Sequence, residues 1–186
     1  MALNAHLLPL SVEDYLEGEL HSEIRHEYVA GRVFAMTGTS RAHNLIALNI
    51  ATALHAHLRG GPCRVFMSDL KVRVEKADAF YYPDIAVTCH PADTQPYYLT
   101  HPRLIVEVLS PSTEGIDRRE KLLAYQSLDS LDEYVLVAQD TVQVEVYRRD
   151  GTGGWWLYTC GEGEELRLDA VDLVLPVAAI YQDVPF

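Results

Sequence analysis

The stretch PRLIVEVLSPST (residues 102–113) carries one carboxylate, Glu107, inside the run Leu104-Ile105-Val106-Glu107-Val108-Leu109, with no other charge between Arg103 and Glu114. An almost uninterrupted apolar run of this length reads as a buried central strand. A carboxylate there is costly to desolvate unless something offsets it. A metal ion, a salt bridge to a buried base, or an edge position that reaches water would each do so. For Glu107 taken alone the salt bridge is the favoured reading.

A second carboxylate stands in a similar setting. Tyr81-Tyr82-Pro83-Asp84-Ile85-Ala86-Val87 puts Asp84 at the head of another apolar strand. Pro-Asp pairs also mark simple strand-entry turns. The two acids are 23 residues apart, so their strands can lie side by side. Facing carboxylates repel unless a cation or a shared proton lies between them. A hard divalent ion with oxygen ligands suits that need, magnesium above all, because it keeps several of its waters. Lys121, fourteen residues after Glu107, falls on the helix expected over DRREKLLAYQSL (117–128) and can return its ammonium to the acids. Asp117 and Lys121 also stand at i, i+4, the spacing of an ordinary surface ion pair. Spacing leaves both readings open.

Around these segments the chain alternates between periods. Ser11-Val12-Glu13-Asp14 resembles a capping box that opens a short helix. EYVAGRVFAM (27–36) reads as two strands turning at Ala30-Gly31. Residues 43–58 show helical spacing, and Gly60-Gly61-Pro62 ends the helix. CRVFMSDLKVRVEK (63–76) and FYYPDIAVTC (80–89) each read as one strand, with Lys71 and Arg73 opposite Val72 and Val74. EYVLVAQ (133–139) is a further buried strand, and VQVEVYRR (142–149) with WWLYTC (155–160) a hairpin. The tail LDAVDLVLPVAAIY (168–181) reads as an edge element and a terminal helical turn. This order predicts one α/β (α+β) domain over residues 1–186, a central mixed β-sheet flanked by helices with additional N- and C-terminal hairpins.

The 186 residues suit one domain, and no run of about eighteen apolar residues offers a membrane helix. Without a basic segment leading into an apolar stretch, a secreted protein is not expected, so the expected location is cytoplasmic. Cys63, Cys89 and Cys160 stand far apart and are read as three reduced thiols. The net charge of −12 argues against a broad nucleic-acid footprint.

Pro83-Asp84, then Glu107 in an apolar strand, then Lys121, resembles the PD-(D/E)XK nuclease superfamily. Within it the chain is similar to the bacterial Uma-type family of restriction-endonuclease-like proteins. The resemblance runs through residues 25–44, YYPDIAV (81–87), PRLIVEVLSPST (102–113), DRREKLLAY (117–125) and EYVLV (133–137). It implies a restriction-endonuclease-like fold and metal-dependent hydrolysis of DNA phosphodiesters, with a non-catalytic binding module as the alternative. It implies Asp84, Glu107 and the carbonyl of Val108 as ligands of Mg2+ or Mn2+, and Lys121 as the group that orients water. The superfamily lysine position, two residues after the acid, is Leu109 here, and Lys121 would replace it from the following helix. His43 and Glu27 lie inside similar segments as accessory residues; Glu27 can otherwise pair with Arg25 or Arg32, and Asp69 can be a strand-entry turn. Arg41, Lys71, Arg73, Arg118 and Arg119 are the candidates for contacting a backbone. Binding to DNA is expected to be weak and local and to fall steeply with salt. A homodimer would bring together the two sites that double-strand cleavage requires.

Overall fold

The computed structural model describes residues 9–111 and 113–186. Ser11 caps the first helix, α1 (Val12–His21), its Oγ accepting from the Asp14 N–H at 3.0 Å. Strands β1 (His26–Val29) and β2 (Arg32–Ala35) form the first hairpin. Its turn residues Ala30 and Gly31 both have positive φ, 48° and 82°, the geometry that matches the twist of a two-residue hairpin. A β-carbon at Gly31 would run into Pro9. Ser40 caps the long helix α2 (Arg41–Leu58), accepting from the His43 N–H at 3.0 Å.

The next two runs differ from the sequence reading. Residues 63–76 break at Ser68-Asp69 into β3 (Arg64–Met67) and β4 (Lys71–Val74), and residues 80–89 break at Tyr82-Pro83 into β5 (Ala79–Tyr81) and β6 (Ile85–Thr88). Pro83 has no N–H to give a ladder, which favours an interruption there. The two breaks are tied together, since the Ser68 N–H donates to the Asp84 carbonyl at 3.1 Å. Each run therefore begins in one sheet and ends in another. β4 and β5 join β2-β1-β5-β4-β7, with β7 at Tyr98–Leu99. β3 and β6 join a six-stranded sheet.

That sheet runs β11-β10-β9-β8-β6-β3, with β8 (Pro102–Val108), β9 (Glu133–Val137), β10 (Gln143–Arg149) and β11 (Trp155–Gly161). Only β8 and β9 pair in parallel; the other neighbours are antiparallel, so the sheet is mixed. The parallel pair is connected by a helical stretch made of α3 (Glu114–Ile116), a π-helical turn (Asp117–Lys121) and α4 (Leu122–Gln126).

Alternation sorts the faces. Leu104, Val106 and Val108 pack with Ile46, Ile50 and Leu54 of α2, while Ile105 and Leu109 turn toward Tyr125 and the other sheet. The C-terminal residues form a separate hairpin, β12 (Glu165–Leu168) with β13 (Leu173–Pro176), and then α5 (Val177–Ile180). This is one strand more than the tail's pattern suggested. The fold is a mixed α+β one, with helices on the faces of a mixed sheet and hairpins at both ends of the chain.

The cysteines require a correction. Cys63 and Cys89 form a disulfide, with Cα atoms 4.0 Å apart, while Cys160 is free. The β3–β6 ladder pairs Arg64 with Thr88, so its next position places residues 63 and 89 opposite each other. Distance along the chain hid that register. No helix of the described residues is long and apolar enough to cross a membrane.

Candidate functional site

The ladder between β6 and β8 pairs Ile85 with Val106, so one step further Asp84 faces Glu107. Directly opposed residues of an antiparallel pair share a face. The backbone knits the two acids together: the Asp84 N–H donates to Glu107 Oε2 at 3.4 Å, and the Val108 N–H donates to Asp84 Oδ2 at 2.7 Å. Glu107 is 4% exposed, whereas Asp84 sits at the interruption between sheets and is more open. From the first turn of α2, His43 Nε2 lies 3.2 Å from the same Asp84 oxygen.

Lys121 closes the site from the opposite side. Its Nζ lies 3.0 Å from Glu27 Oε1, 3.1 Å from Glu107 Oε1 and 3.3 Å from Asp117 Oδ1. The Tyr125 hydroxyl also donates to Glu107 Oε1 at 3.4 Å, and the Tyr82 N–H donates to Glu27 Oε1 at 3.2 Å. The π-helical turn carries Asp117 and Lys121 inward together; such turns recur at functional sites. Leu109 packs in the core beside Tyr125 and Ile105, so the position two residues after Glu107 supplies no charge.

Three carboxylates, those of Glu27, Glu107 and Asp117, thus surround one ammonium, and Asp84 stands beside Glu107. Burial pushes the Glu107 carboxyl well above its usual range; Lys121 opposes this, and Asp117, Asp84 and Glu27 add to it. For Lys121 burial acts to lower the pKa, but Glu107, Glu27 and Asp117 together hold it well above the usual lysine range. The cluster holds four acidic side chains, Glu27, Asp84, Glu107 and Asp117, against one lysine, so acidic groups are in surplus. The described residues contain two buried side-chain atoms without a hydrogen bond, His43 Nδ1 and Asp117 Oδ1, and both are here. Asp117 Oδ1 lies close to Lys121 Nζ but off hydrogen-bond geometry.

Among the described residues no three His, Cys, Asp or Glu side chains converge as a complete metal-ligand set. The pair Asp84 and Glu107 nevertheless fits a hydrated divalent ion, which needs only one or two carboxylates beside its waters. The surplus of acidic groups and the orphaned atoms favour the same fit.

The structure brings Asp84, Glu107, Lys121, His43 and Glu27 into one cluster. Glu27 pairs with Lys121, while Arg25 pairs with Asp69 at 2.9 Å. Val108 adjoins the site through its N–H. Asp117 and Lys121 do form an ion pair, but a buried one. Sequence reasoning did not place Asp117 or Tyr125 in the site. Their spacing of four residues to either side of Lys121 was the available signal. It also missed a supporting cluster. The Tyr82 hydroxyl donates to Glu19 at 2.8 Å and accepts from Lys71 at 3.2 Å, while His26 Nδ1 lies 2.9 Å from Glu19. These bonds hold Tyr82 two residues before Asp84.

The basic candidates divide into two groups. Lys71 is buried, Arg73 pairs with Asp78 at 2.9 Å, and Arg118 pairs with Glu145 at 2.6 Å and Glu114 at 2.7 Å. Arg41 and Arg119 are exposed.

A family model named Uma2 and described as "Putative restriction endonuclease" matches residues 12–178. An uncharacterized protein of Synechocystis is 36% identical over 178 residues, covering 95% of this chain and 94% of that protein. A second Synechocystis protein, also uncharacterized, is 29% identical over 161 residues, covering 84% and 91%. A crystal structure from Anabaena variabilis, titled as that of a putative nuclease, superposes with a TM-score of 0.77 at 17% identity. The match covers 93% of this chain and 98% of that one, and at this identity it speaks for the fold.

Proposed function

Because the chain belongs to the Uma2 family, whose description is "Putative restriction endonuclease", we propose that it is a metal-dependent endonuclease hydrolysing DNA phosphodiesters. The observation that carries this reading is the opposition of Asp84 and Glu107 on neighbouring strands, with the Lys121 ammonium on the inner acid. The arrangement resembles the PD-(D/E)XK centre, its lysine delivered from a helix.

Asp84 and Glu107 would hold Mg2+ or Mn2+, with the Val108 carbonyl as a third oxygen. A divalent ion at this place supplies Lewis-acid chemistry: it lowers the pKa of a water and offsets phosphate charge. Asp84 is the more exposed of the two acids, its side chain 17% exposed against 5% for Glu107, and would meet substrate first. His43 fixes the Asp84 carboxylate from the far side. Lys121 orients the attacking water and places positive charge near the phosphorus centre as negative charge builds. The apolar strand around Glu107 keeps the local dielectric low, so each of these charges acts strongly.

The test is cleavage of plasmid DNA with Mg2+ or Mn2+. Asp84→Ala and Glu107→Ala should each abolish nicking, while a surface change such as Glu162→Ala should leave it intact. Activity that survives both acid substitutions would sink the assignment. A second reading, a fold retained for binding without cleavage, draws on the net charge of −12 and the internal pairing of Arg73 and Arg118. It predicts no nicking with either ion and no cation uptake by calorimetry.

A further inference from the structure

We propose that Asp117 is a positioning residue that takes over the Lys121 ammonium when Glu107 is drawn to a divalent cation. The inference rests on the function proposed above. In the structure Glu107 Oε1 accepts from Lys121 at 3.1 Å, while Glu107 Oε2 faces the Asp84 N–H. Were Asp84 and Glu107 to hold a cation through the Oε2 side, the Glu107 carboxylate would have less negative charge to offer Lys121 at Oε1. An ammonium this deeply buried, 5% exposed as a residue, cannot simply be released into the apolar interior. It needs a replacement acceptor within reach.

Two carboxylates besides Glu107 touch it, and they differ in spare capacity. Glu27 Oε1 already accepts the Tyr82 N–H. Asp117 Oδ1 is buried, hydrogen-bonded to nothing and 3.3 Å from Nζ, so a small rotation of either side chain completes a bond. Asp117 is also held firmly enough to wait there. It is 2% exposed, and its carbonyl accepts from the Tyr134 hydroxyl of the central strand β9 at 3.2 Å. The π-helical turn puts the two side chains on the same inward face. Asp117 thus lowers the cost of withdrawing Glu107 from Lys121, and it keeps the ammonium charged and near the site while Glu107 serves the cation. It acts through the lysine without touching cation or substrate.

The test is a double-mutant cycle on Mn2+ binding, read by calorimetry in the absence of DNA. Asp117→Asn, nearly isosteric, should weaken Mn2+ binding about tenfold when Lys121 is present, the size of one opposite-charge interaction. In the Lys121→Met background the same change should alter binding less than twofold, because no ammonium is left to rehouse. Equal weakening in both backgrounds would make Asp117 a ligand or a diffuse charge and overturn the proposal. A second measurement needs no variant. On saturation with Mg2+, the Lys121 ammonium nitrogen and the Asp117 carboxylate carbon should both shift in NMR spectra, and a stationary Asp117 signal overturns the proposal even if no variant folds. Wild-type protein that takes up no Mn2+ would overturn the proposed function itself, an outcome separate from the failure of Asp117 alone.

Discussion

The two acids of the candidate site lie in different surroundings. Glu107 lies within the sheet, where burial raises its pKa and Lys121 opposes that shift. Asp84 stands at the interruption between β5 and β6, anchored by the Val108 N–H at 2.7 Å and by His43 at 3.2 Å. Outer partners that fix a ligating carboxylate typically contribute ten- to hundredfold in metal affinity or activity. His43→Ala should therefore lower the cleavage rate by about that factor. His43→Gln, able to donate one hydrogen bond to Asp84 Oδ2, should recover part of the loss. Cleavage rates of the purified variants check this, and an unchanged rate in His43→Ala would remove the histidine from the mechanism. That the two acids lie side by side on neighbouring strands was legible in the sequence, Glu107 from the apolar run Leu104–Leu109 and Asp84 from the head of Ile85-Ala86-Val87. Asp117 was not legible in the same way. An i, i+4 pair looks the same in sequence whether it faces water or the core, and only the π-helical turn decides which.

Whole elements were legible where their period is long. The cap at Ser11, the β1–β2 turn and the β10–β11 hairpin follow from local residues, whereas the Ser40 cap, which starts α2 two residues before the expected His43, was not read. The breaks within residues 63–76 and 80–89 did not, because each half keeps the same alternation while changing sheets. The tail was misread for a related reason: what holds β12 and β13 is a partner distant in sequence. Glu133, fully buried at the start of β9, accepts from Arg148 Nε at 2.6 Å, the Asp169 N–H at 3.1 Å and the Ala170 N–H at 3.0 Å. It clamps the turn between β12 and β13 to the central sheet. Removing one partner of a buried pair costs about 3–5 kcal/mol. Glu133→Ala should lose that much stability in urea unfolding, and a loss below about 1 kcal/mol would mean the clamp carries little. The disulfide secures the opposite edge. It closes a loop over a sequence separation of 26, for which chain entropy gives about 3 kcal/mol. Cys63→Ser should lower the urea midpoint accordingly, whereas a reductant should leave the midpoint of that variant unchanged.

At the scale of the whole molecule the net charge of −12 would govern any encounter with DNA. A steep loss of affinity with salt would require many lysine and arginine contacts to phosphate, each releasing a counterion. The structure withholds most of the candidates. Lys71 is buried against Tyr82, Arg73 pairs with Asp78, and Arg118 bridges Glu114 and Glu145. Arg41 at the start of α2 and Arg119 on the π-helical turn are the exposed ones left from that set. Each phosphate contact adds about −0.9 to the slope of log affinity against log salt, so two give a slope of about −2. The remaining surface repels the duplex, and salt screens that repulsion, which flattens the dependence further. Affinity would then change by at most roughly fifteenfold between 50 and 200 mM salt, where six to ten contacts would change it by about 10³–10⁵. Fluorescence anisotropy with a labelled duplex, performed on Glu107→Gln so that the DNA stays intact, measures the slope directly. A slope of about −6 or steeper would show that the internally paired arginines open outward on binding. It would also restore the broad electrostatic footprint that the folded chain lacks.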